Sequence, residues 1–429
     1  AFAVWASAFA APAMADGDPT REMIREEIEA YMKDQKKDFR VYWKDGLNFA
    51  TRDNKFKMKI GGRVQADFGF FLDSDKRDDL ELLRDDEWHS GFEFRRLRLF
   101  NSGEIYNNVA WKLQIDFAGA DVVIKDAWVQ LKNLDECWGC LFPDIMIGHF
   151  KEYFSLEELT SSKYITFMER AMATNAFATS RRIGLGANYG GDHWTWGASV
   201  YGREEGDDTD GDEGYGAGAR ITWAPWNEKT KVFHLGLAGA WEDPNDNDVR
   251  FRARPESHQT STRLVDTSNI PEPDTFVRYG VEAATVLGPF SLQGEYMGVN
   301  AQSDQVSDPD FTGWYAYGSW FITGESRKYK GGKFGRVTPK GTVGKGGIGA
   351  WELAVRYSSI DLDDADTQGG EEDNVTVGVN WYATKYVRFM ANYIYADADP
   401  FTTESTLDVD PNEDDDNPNI FQLRAQIDF

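Results

Sequence analysis

Hydrophobic and polar residues alternate with a period of two along most of the chain. In the first run, apolar side chains from Phe56 to Phe68 fall on one face of an extended chain, and polar or basic ones from Lys55 to Asp67 on the other. Successive side chains of a β-strand point to opposite faces, so each run predicts a strand with one apolar face. About sixteen such runs occur, at 55–71, 91–105, 108–118, 122–132, 144–150, 182–190, 193–203, 215–224, 231–241, 275–287, 289–300, 311–322, 348–360, 374–383, 385–396 and 419–429.

The runs and their connections predict an all-β fold, a transmembrane antiparallel β-barrel rather than a soluble β-sandwich. Apolar runs of about 18 or more residues do not occur, which excludes α-helical membrane spans. A barrel strand exposes only every second residue to lipid, which fits a mean hydropathy of −0.55. An even strand count places both chain ends in the periplasm, with tight periplasmic turns and long outer loops. The outer loops are then expected to include 72–90, 204–214, 242–274, 361–373 and 397–418.

The connection between the runs 144–150 and 182–190 differs from the others. It carries a helix signal, because Ser155 suits an N-cap and Glu158 follows three residues later. It is also rich in basic residues, namely Lys151, Lys163, Arg170, Arg181 and Arg182. A long, partly helical connection of this kind tends to be functional. We expect this third loop to fold into the lumen of the barrel and narrow it.

Two segments precede the predicted barrel domain, which spans residues 46–429. Residues 1–15 are apolar and end in Ala-Met-Ala, so they are predicted to be the remnant of a signal peptide cleaved after Ala15. Export to the bacterial outer membrane follows from that prediction. Residues 16–45 are predicted to form a linker and a short periplasmic helix at 19–39, with Pro19 in its first turn and lysines near its end.

The net charge of −26 conceals an uneven distribution of acidic and basic residues. The predicted outer stretches 204–213, 361–373 and 397–416 hold much of the acid, either as solvated surface or as a site for divalent cations. Basic residues gather where the lumen and its mouths are expected: Lys55, Lys57, Lys59, Arg250, Arg252, Arg254, Lys328, Lys330 and Lys333. Such a lumen would guide anions, although lipid phosphates are another partner for basic patches.

Strict alternation breaks in FEFRRLRLF, at residues 92–100. Phe94 and Leu97 can both face lipid only if Arg95 and Arg96 turn inward together, which a β-bulge permits. Without the bulge, a guanidinium would lie in lipid at a cost of about 2–4 kcal/mol near the midplane. We therefore expect a bulge that places two adjacent arginines in the lumen.

Stretches spread over most of the chain resemble the family of phosphate-selective porins O and P. These stretches are GGRVQAD at 61–67, FRRLRL at 94–99, FKEYFSLEELTSSKYITFMER at 150–170, RARPESH at 252–258, YGSWFITGESRKY at 317–329 and GAWELAVRYSSIDL at 349–362. The resemblance implies a homotrimeric porin in outer-membrane lipid. It also implies passive diffusion of small anions, with phosphate or polyphosphate as the candidate solute.

The same resemblance implies an anion-binding constriction, carried over by motif to Arg95, Arg96, Asp126, Lys151, Ser155 and Lys163. We expect Asp126 to orient the two arginines there. It assigns Arg63, together with the arginines at 250–254, to a basic ladder that guides the anion. Two departures leave a preference for phosphate open. Phe154 precedes Ser155 where the family can have two adjacent hydroxyls, and Lys163 stands where an arginine would bind bidentately.

The two cysteines, Cys137 and Cys140, form the sequence CWGC. A single pair lacks the four ligands of a structural zinc site, and the βαβ context of a thioredoxin-like motif is missing. In an oxidising periplasm a local structural disulfide is the simplest interpretation.

An enzyme is not predicted from this sequence. Its five histidines lie on unrelated runs, and neither a nucleophile–base spacing nor a phosphate-loop, Rossmann or zinc-helix motif appears. No metal, cofactor or nucleic acid is therefore expected as a partner. The alternative function is a general-diffusion or sugar porin without phosphate preference, with lumen aromatics such as Trp128. In that alternative the protein would also tether the envelope through its N-terminal helix.

Overall fold

Strands dominate the computed structural model, which describes residues 19–34, 39–72, 90–119, 121–134, 142–202, 214–245, 248–364, 366–400 and 417–429. Several predictions fall outside these residues: the signal peptide at 1–15, the Cys137–Cys140 turn, the acidic run 204–213 and most of 397–416. None of the described helices is long and apolar enough to cross a membrane.

Three helices and twenty-two strands make up the described chain. The helices are α1 (Pro19–Asp34), α2 (Leu156–Leu159) and α3 (Met172–Phe177). The strands, in chain order, are β1 (Arg40–Trp43), β2 (Leu47–Ala50), β3 (Phe56–Phe71), β4 (Gly91–Ile105), β5 (Val109–Asp116), β6 (Val123–Leu131), β7 (Asp144–Lys151), β8 (Arg181–Gly190), β9 (Trp194–Tyr201), β10 (Tyr215–Asn227), β11 (Lys231–Asp243), β12 (Arg252–Ala253), β13 (Val265–Asp266), β14 (Pro273–Leu287), β15 (Phe290–Ser303), β16 (Asp310–Phe321), β17 (Tyr329–Lys330), β18 (Lys333–Phe334), β19 (Ala350–Asp364), β20 (Thr367–Tyr382), β21 (Val387–Pro400) and β22 (Asn419–Asp428).

Sixteen of these strands close into an antiparallel barrel, as predicted. Each strand pairs with the next along the chain, and β22 returns to pair with β3 from Ile420 opposite Phe71 to Asp428 opposite Arg63. The hairpin of β1 and β2 adds to the same sheet, because β2 pairs with the first residues of β3. A closed sheet leaves no unpaired edge, which the hydrocarbon region requires.

Alternation along the strands separates the two faces of the wall. On β19, for example, Trp351, Leu353 and Val355 are exposed on the outside, whereas Glu352 and Arg356 are buried on the inside. The outer face therefore suits lipid and the inner face a polar lumen.

One predicted outer loop is wrong in extent. The connection expected at 361–373 is largely strand, because β19 continues to Asp364 and β20 begins at Thr367. These strand ends carry acidic residues on their exposed positions, for example Glu371 and Asp373. Beyond the band of the barrel that contacts lipid, a strand needs no hydrophobic face. The alternation of apolar and polar residues is therefore lost there, although the backbone pairing continues.

The third loop lies inside the barrel, as predicted. It leaves the wall after Lys151, the last residue of β7 paired with β8. Gly148 in β7 has φ of 125°, and a Cβ atom there would lie 2.2 Å from the carbonyl oxygen of Ala127, so this position requires glycine. Most residues from 152 to 180 are buried. Within this segment Phe154, Met172 and Phe177 pack with apolar side chains of the wall and of the outer connection.

Two further segments enter the lumen, and neither was predicted to do so. Residues 248–272, which precede β14, carry Phe251 into the same apolar cluster as Phe177. Residues 322–349, which connect β16 to β19 at the periplasmic end, place Phe334 against Leu156 of α2. The third loop is thus held between an outer and a periplasmic segment.

A buried carboxylate fastens the outer segment. Glu256 is 1% exposed and accepts hydrogen bonds from Arg356 Nε (3.1 Å), Ser358 Oγ (2.5 Å) and Thr376 Oγ1 (2.7 Å) on β19 and β20. Breaking a buried ion pair leaves an uncompensated charge, which costs about 3–5 kcal/mol.

We predict that Glu256→Ala releases the outer segment from the lumen. Trypsin should then cut the folded protein faster after Arg252 and Arg263 of this segment, which limited proteolysis of detergent-solubilised protein would measure. Asp274→Ala is the control, since it removes an exposed carboxylate from β14. Equal cleavage rates in wild type and both variants would contradict this account of the anchor.

Candidate functional site

The bulge predicted near Arg95 is present where β4 pairs with β3. Arg96 lies opposite Gln65 and Phe94 lies opposite Ala66, so Arg95 is the extra residue without a partner in the register. The additional residue lets two consecutive side chains reach the lumen. Both guanidinium groups contact the third loop there.

A carboxylate of the third loop, Glu169, receives these arginines. Arg95 donates to it through Nε (2.9 Å) and Nη2 (3.0 Å), and Arg96 lies at 3.3 Å through Nη2. Arg424 of β22 donates to it at 2.7 Å and also forms two hydrogen bonds with Asp67, at 2.7 and 2.5 Å. Burial alone would raise the pKa of Glu169, but the three arginines lower it well below its usual range.

Asp126 belongs to a different cluster from the one predicted. We expected it to orient Arg95 and Arg96, and that expectation is wrong. Its Oδ2 pairs with Lys112 Nζ at 2.5 Å and its Oδ1 with Arg181 Nε at 3.1 Å. Asp126 lies on β6, whose neighbour β5 carries Lys112. Arg95 and Arg96 lie on β4, one strand farther away.

Lys151 and Ser155 lie at the entry of the third loop. Lys151 pairs with Glu158 at 2.6 Å, and Arg170 pairs with the same carboxylate at 3.0 Å. Ser155 is buried and its Oγ accepts the backbone N–H of Glu158 at 3.1 Å, which confirms the predicted N-cap.

The N-terminal end of α2 is already occupied by a carboxylate of the wall. Glu295 on β15 accepts the backbone N–H groups of Leu156 (2.9 Å) and Glu157 (2.7 Å). The hydroxyl of Ser155 is likewise engaged within the loop. Ser155 therefore acts here as a helix cap, and its assignment to anion binding stays a prediction.

Lys163 and Arg63 lie nearer the periplasmic end. Arg63 is buried and donates to Ser162 Oγ at 2.6 Å, while Lys163 lies 3.6 Å from Asp428 and contacts the rings of Phe100 and Tyr164. Burial lowers the pKa of Lys163 to about 8; Asp428 opposes that shift, and Arg63 adds to it.

These contacts share one feature, an excess of basic side chains around four carboxylates of the constriction. Glu169 faces three arginines, and Asp126 and Glu158 each face two basic side chains. Asp428 faces Lys163 and Arg336. Charges in a narrow lumen with walls of low dielectric act strongly on one another and on a passing ion. The constriction is therefore positive, although the whole chain is acidic.

The predicted guiding arginines of the outer segment differ in their contacts. Arg250, Arg252 and Arg254 share one face of an extended segment, as the alternation suggested, because Phe251 and Ala253 are buried on the other. Arg250, however, pairs with Asp266. Arg254 lies close enough to Arg95 and Glu169 for their charges to act on it.

The predicted lysines at the periplasmic end are also of two kinds. Lys55 lies 3.6 Å from Asp53, and Lys57 lies 3.0 Å from Glu104, so both are compensated at the rim. Lys59 contacts the ring of Phe100, and Lys328 donates to Thr338. Lys330 and Lys333 are exposed on the hairpin of β17 and β18. The carbonyl group of Gly332 at its tip accepts a hydrogen bond from Arg220 at 2.9 Å.

Several residues of the constriction are not evident from the sequence. Glu169, Arg424, Lys112 and Glu158 were not assigned, although Arg424 and Lys112 occupy polar positions of alternating strands. That position was the only signal for them, and most polar positions of the barrel share it. Glu169 and Glu158 lie on a loop, where no period indicates which way a side chain points.

Comparison with known proteins agrees with this geometry. The family described as phosphate-selective porin O and P matches residues 58–429. Porin O of Pseudomonas aeruginosa is 31% identical over 432 residues, which cover 91% of this chain and 93% of that protein.

Two solved structures share the fold. They are an anion-selective porin from Comamonas acidovorans, with 10% identity and a TM-score of 0.54, and the trimer form of OmpT from Vibrio cholerae, with 12% identity and a TM-score of 0.54. Each alignment covers 87% of this chain, with 100% of the Comamonas chain and 99% of the Vibrio chain. The barrel, its cationic constriction and the match over most of the chain lead to one conclusion: this protein is a porin that belongs to the phosphate-selective porin O and P family.

Proposed function

We propose that this porin lets small anions diffuse passively across the outer membrane through the lumen described above. One observation carries the proposal: Glu169, Asp126 and Glu158 at the constriction each face two or three basic side chains. A passing anion would meet a positive field there and exchange part of its hydration for charge-assisted hydrogen bonds.

Phosphate is the candidate solute. Its oxygen atoms resemble those of a carboxylate, and Arg95 already binds the Glu169 carboxylate bidentately. Membership in the phosphate-selective porin family and the shared fold with an anion-selective porin of Comamonas acidovorans support an anionic solute. Polyphosphate would use the same oxyanion chemistry at several positions along the lumen.

The outer mouth would collect anions in spite of the acidic loops. Arg252 is exposed and Arg254 half-buried above the constriction. The Debye length is about 8–10 Å at physiological salt, so carboxylates farther out do not cancel the field inside. Lys330 and Lys333, exposed on the periplasmic segment, would receive the anion below the third loop.

Residues before the barrel would support the assembly. Met23, Ile24 and Ile28 are exposed on α1. In this proposal residues 1–15 are removed on export, 16–45 form a periplasmic extension and three barrels associate, as the family resemblance implies. One structure that shares the fold is the trimer form of OmpT, which supports an assembly of three chains.

A general-diffusion or sugar porin is the second candidate. Trp128 lies on the same face of β6 as Asp126 and thus toward the lumen, where a sugar ring could stack on it. The surrounding cations favour anions over neutral solutes, so we place this function second.

The first prediction concerns selectivity. Replacing Arg95 and Arg96 together by Gln should lower chloride-over-potassium permeability in planar bilayers, while Arg424 still holds Glu169. Phosphate should slow the chloride current of the wild type if the site prefers phosphate, and barely affect it in a general anion channel. Lys229→Gln with Lys231→Gln is the control, because it removes two charges at a periplasmic turn. A wild-type pore that prefers potassium would refute the assignment.

The second prediction concerns pH. Because the pKa of Lys163 lies at about 8, its positive charge is present below that pH and is lost above it. Anion preference should therefore fall as pH rises from 7 to 9.5, as reversal potentials would measure. Lys163→Arg keeps the charge throughout and should flatten the profile. An unchanged pH step in that variant would assign the titration to another group.

The third prediction concerns assembly. The protein extracted in mild detergent should have the mass of three chains by light scattering, since the family resemblance implies a trimer. A monomer at working concentration would contradict this part of the proposal without affecting the selectivity result.

A further inference from the structure

We infer that Glu169 is a resident counter-anion: its carboxylate occupies the hydrogen-bonding positions of Arg95 and Arg96 that a passing oxyanion would use, and so determines how loosely the constriction holds its ion. The inference rests on the proposed anion transport and names the residue that tunes it. Nothing in the sequence pattern distinguishes this glutamate from the others on the loop.

The geometry at Glu169 is that of a bound oxyanion. Both of its oxygen atoms accept from Arg95, and each also lies near a second arginine, at 2.7 Å from Arg424 and at 3.3 Å from Arg96. Fork-to-fork contacts of this kind are those that arginine makes with carboxylate or phosphate groups. Glu169 thus takes the place of the transported ion while the pore is empty.

The three arginines differ in how much of their hydrogen-bonding capacity remains. All three nitrogen atoms of the Arg424 guanidinium donate hydrogen bonds, to Asp67, Glu169 and the carbonyl group of Met168. Arg96 is 3% exposed and also donates to Gln65 at 3.1 Å. Arg95 keeps 20% of its side chain exposed, and Glu169 is its only hydrogen-bond partner in the described part of the chain. Arg95 is therefore the arginine that can exchange Glu169 for an incoming anion.

The charges explain why such an exchange suits transport. Three guanidinium groups against Glu169 and Asp67 leave one positive charge within this ion-pair cluster. Without Glu169 the same guanidiniums would surround the anion, and release would slow. Conduction requires binding strong enough to admit an ion and weak enough to let it leave.

The loop around Glu169 does not depend on this carboxylate for its position. Arg388 donates to the carbonyl groups of Ile165 (2.7 Å) and Thr166 (2.8 Å). Asn392 accepts the backbone N–H of Met168 at 3.1 Å, and Asn380 donates to Thr166 at 2.9 Å. Removing the charge of Glu169 should therefore change ion binding more than it changes the fold.

The test compares Glu169→Gln with wild type in planar bilayers, with chloride carrying the current and inorganic phosphate as the inhibitor. In Glu169→Gln, phosphate should halve the chloride current at a concentration lower by roughly tenfold or more. A tenfold change in affinity corresponds to about 1.4 kcal/mol. Two unit charges about 4 Å apart near a protein surface interact by more than that energy. Glu228→Gln is the matched control. It is the same substitution at an exposed glutamate of the periplasmic turn between β10 and β11, outside the constriction.

Each outcome decides the inference. A half-inhibiting concentration that falls in Glu169→Gln and stays within about twofold of wild type in Glu228→Gln supports it. An unchanged value in Glu169→Gln, or equal shifts in both variants, overturns it. It is also overturned if Glu169→Gln fails to form heat-resistant barrels on gels while Glu228→Gln forms them, because Glu169 would then be a structural anchor. A wild type that prefers potassium would instead refute the proposed anion transport, so the two failures are distinguishable.

Discussion

Charge inside a closed barrel needs a partner, and this requirement organises the lumen. The wall turns arginines and lysines inward, where an isolated charge is costly. Carboxylates from the third loop meet them, with Glu169 between β4 and β22 and Glu158 beside Lys151. These ion pairs line the passage, while hydrogen bonds between the loop backbone and Arg388, Asn392 and Asn380 hold the loop beside them.

The third loop is also supported by packing from both mouths. Phe251 from the outer segment contacts Phe177, and Phe334 from the periplasmic segment packs against Leu156. Buried Glu256 fastens the outer segment to Arg356 on the wall. Three segments that hold one another leave the constriction with little freedom, and a pre-organised array of donors is what ion recognition requires.

A surplus of cations, rather than bare positive charge, characterises the constriction. Every basic cluster described there contains a carboxylate, so the field that an anion meets is moderate. This arrangement reconciles a chain with net charge −26 with an anion-conducting lumen. Position within the barrel matters more than total charge, because screening by salt confines the influence of distant acidic groups.

The sequence alone determined the architecture of this protein. A period of two located about sixteen strands and gave their order along the chain. The lumenal position of the third loop was predicted from its length, its helix signal and its basic residues. The adjacent Arg95 and Arg96 also predicted the β-bulge in their strand, because neither guanidinium can face lipid at low cost. These features are local, because each strand carries its pattern within about ten residues.

Only the tertiary structure decided which charges meet. Asp126 was assigned to Arg95 and Arg96, yet it pairs with Lys112 and Arg181. Glu169 and Arg424 are 255 positions apart and share a hydrogen bond. Such pairs depend on how the sheet closes and how deeply a loop without periodicity enters the lumen. Alternation specifies the face of a residue but not its partner across the barrel, and so the fold was predictable while the ion-pair network was not.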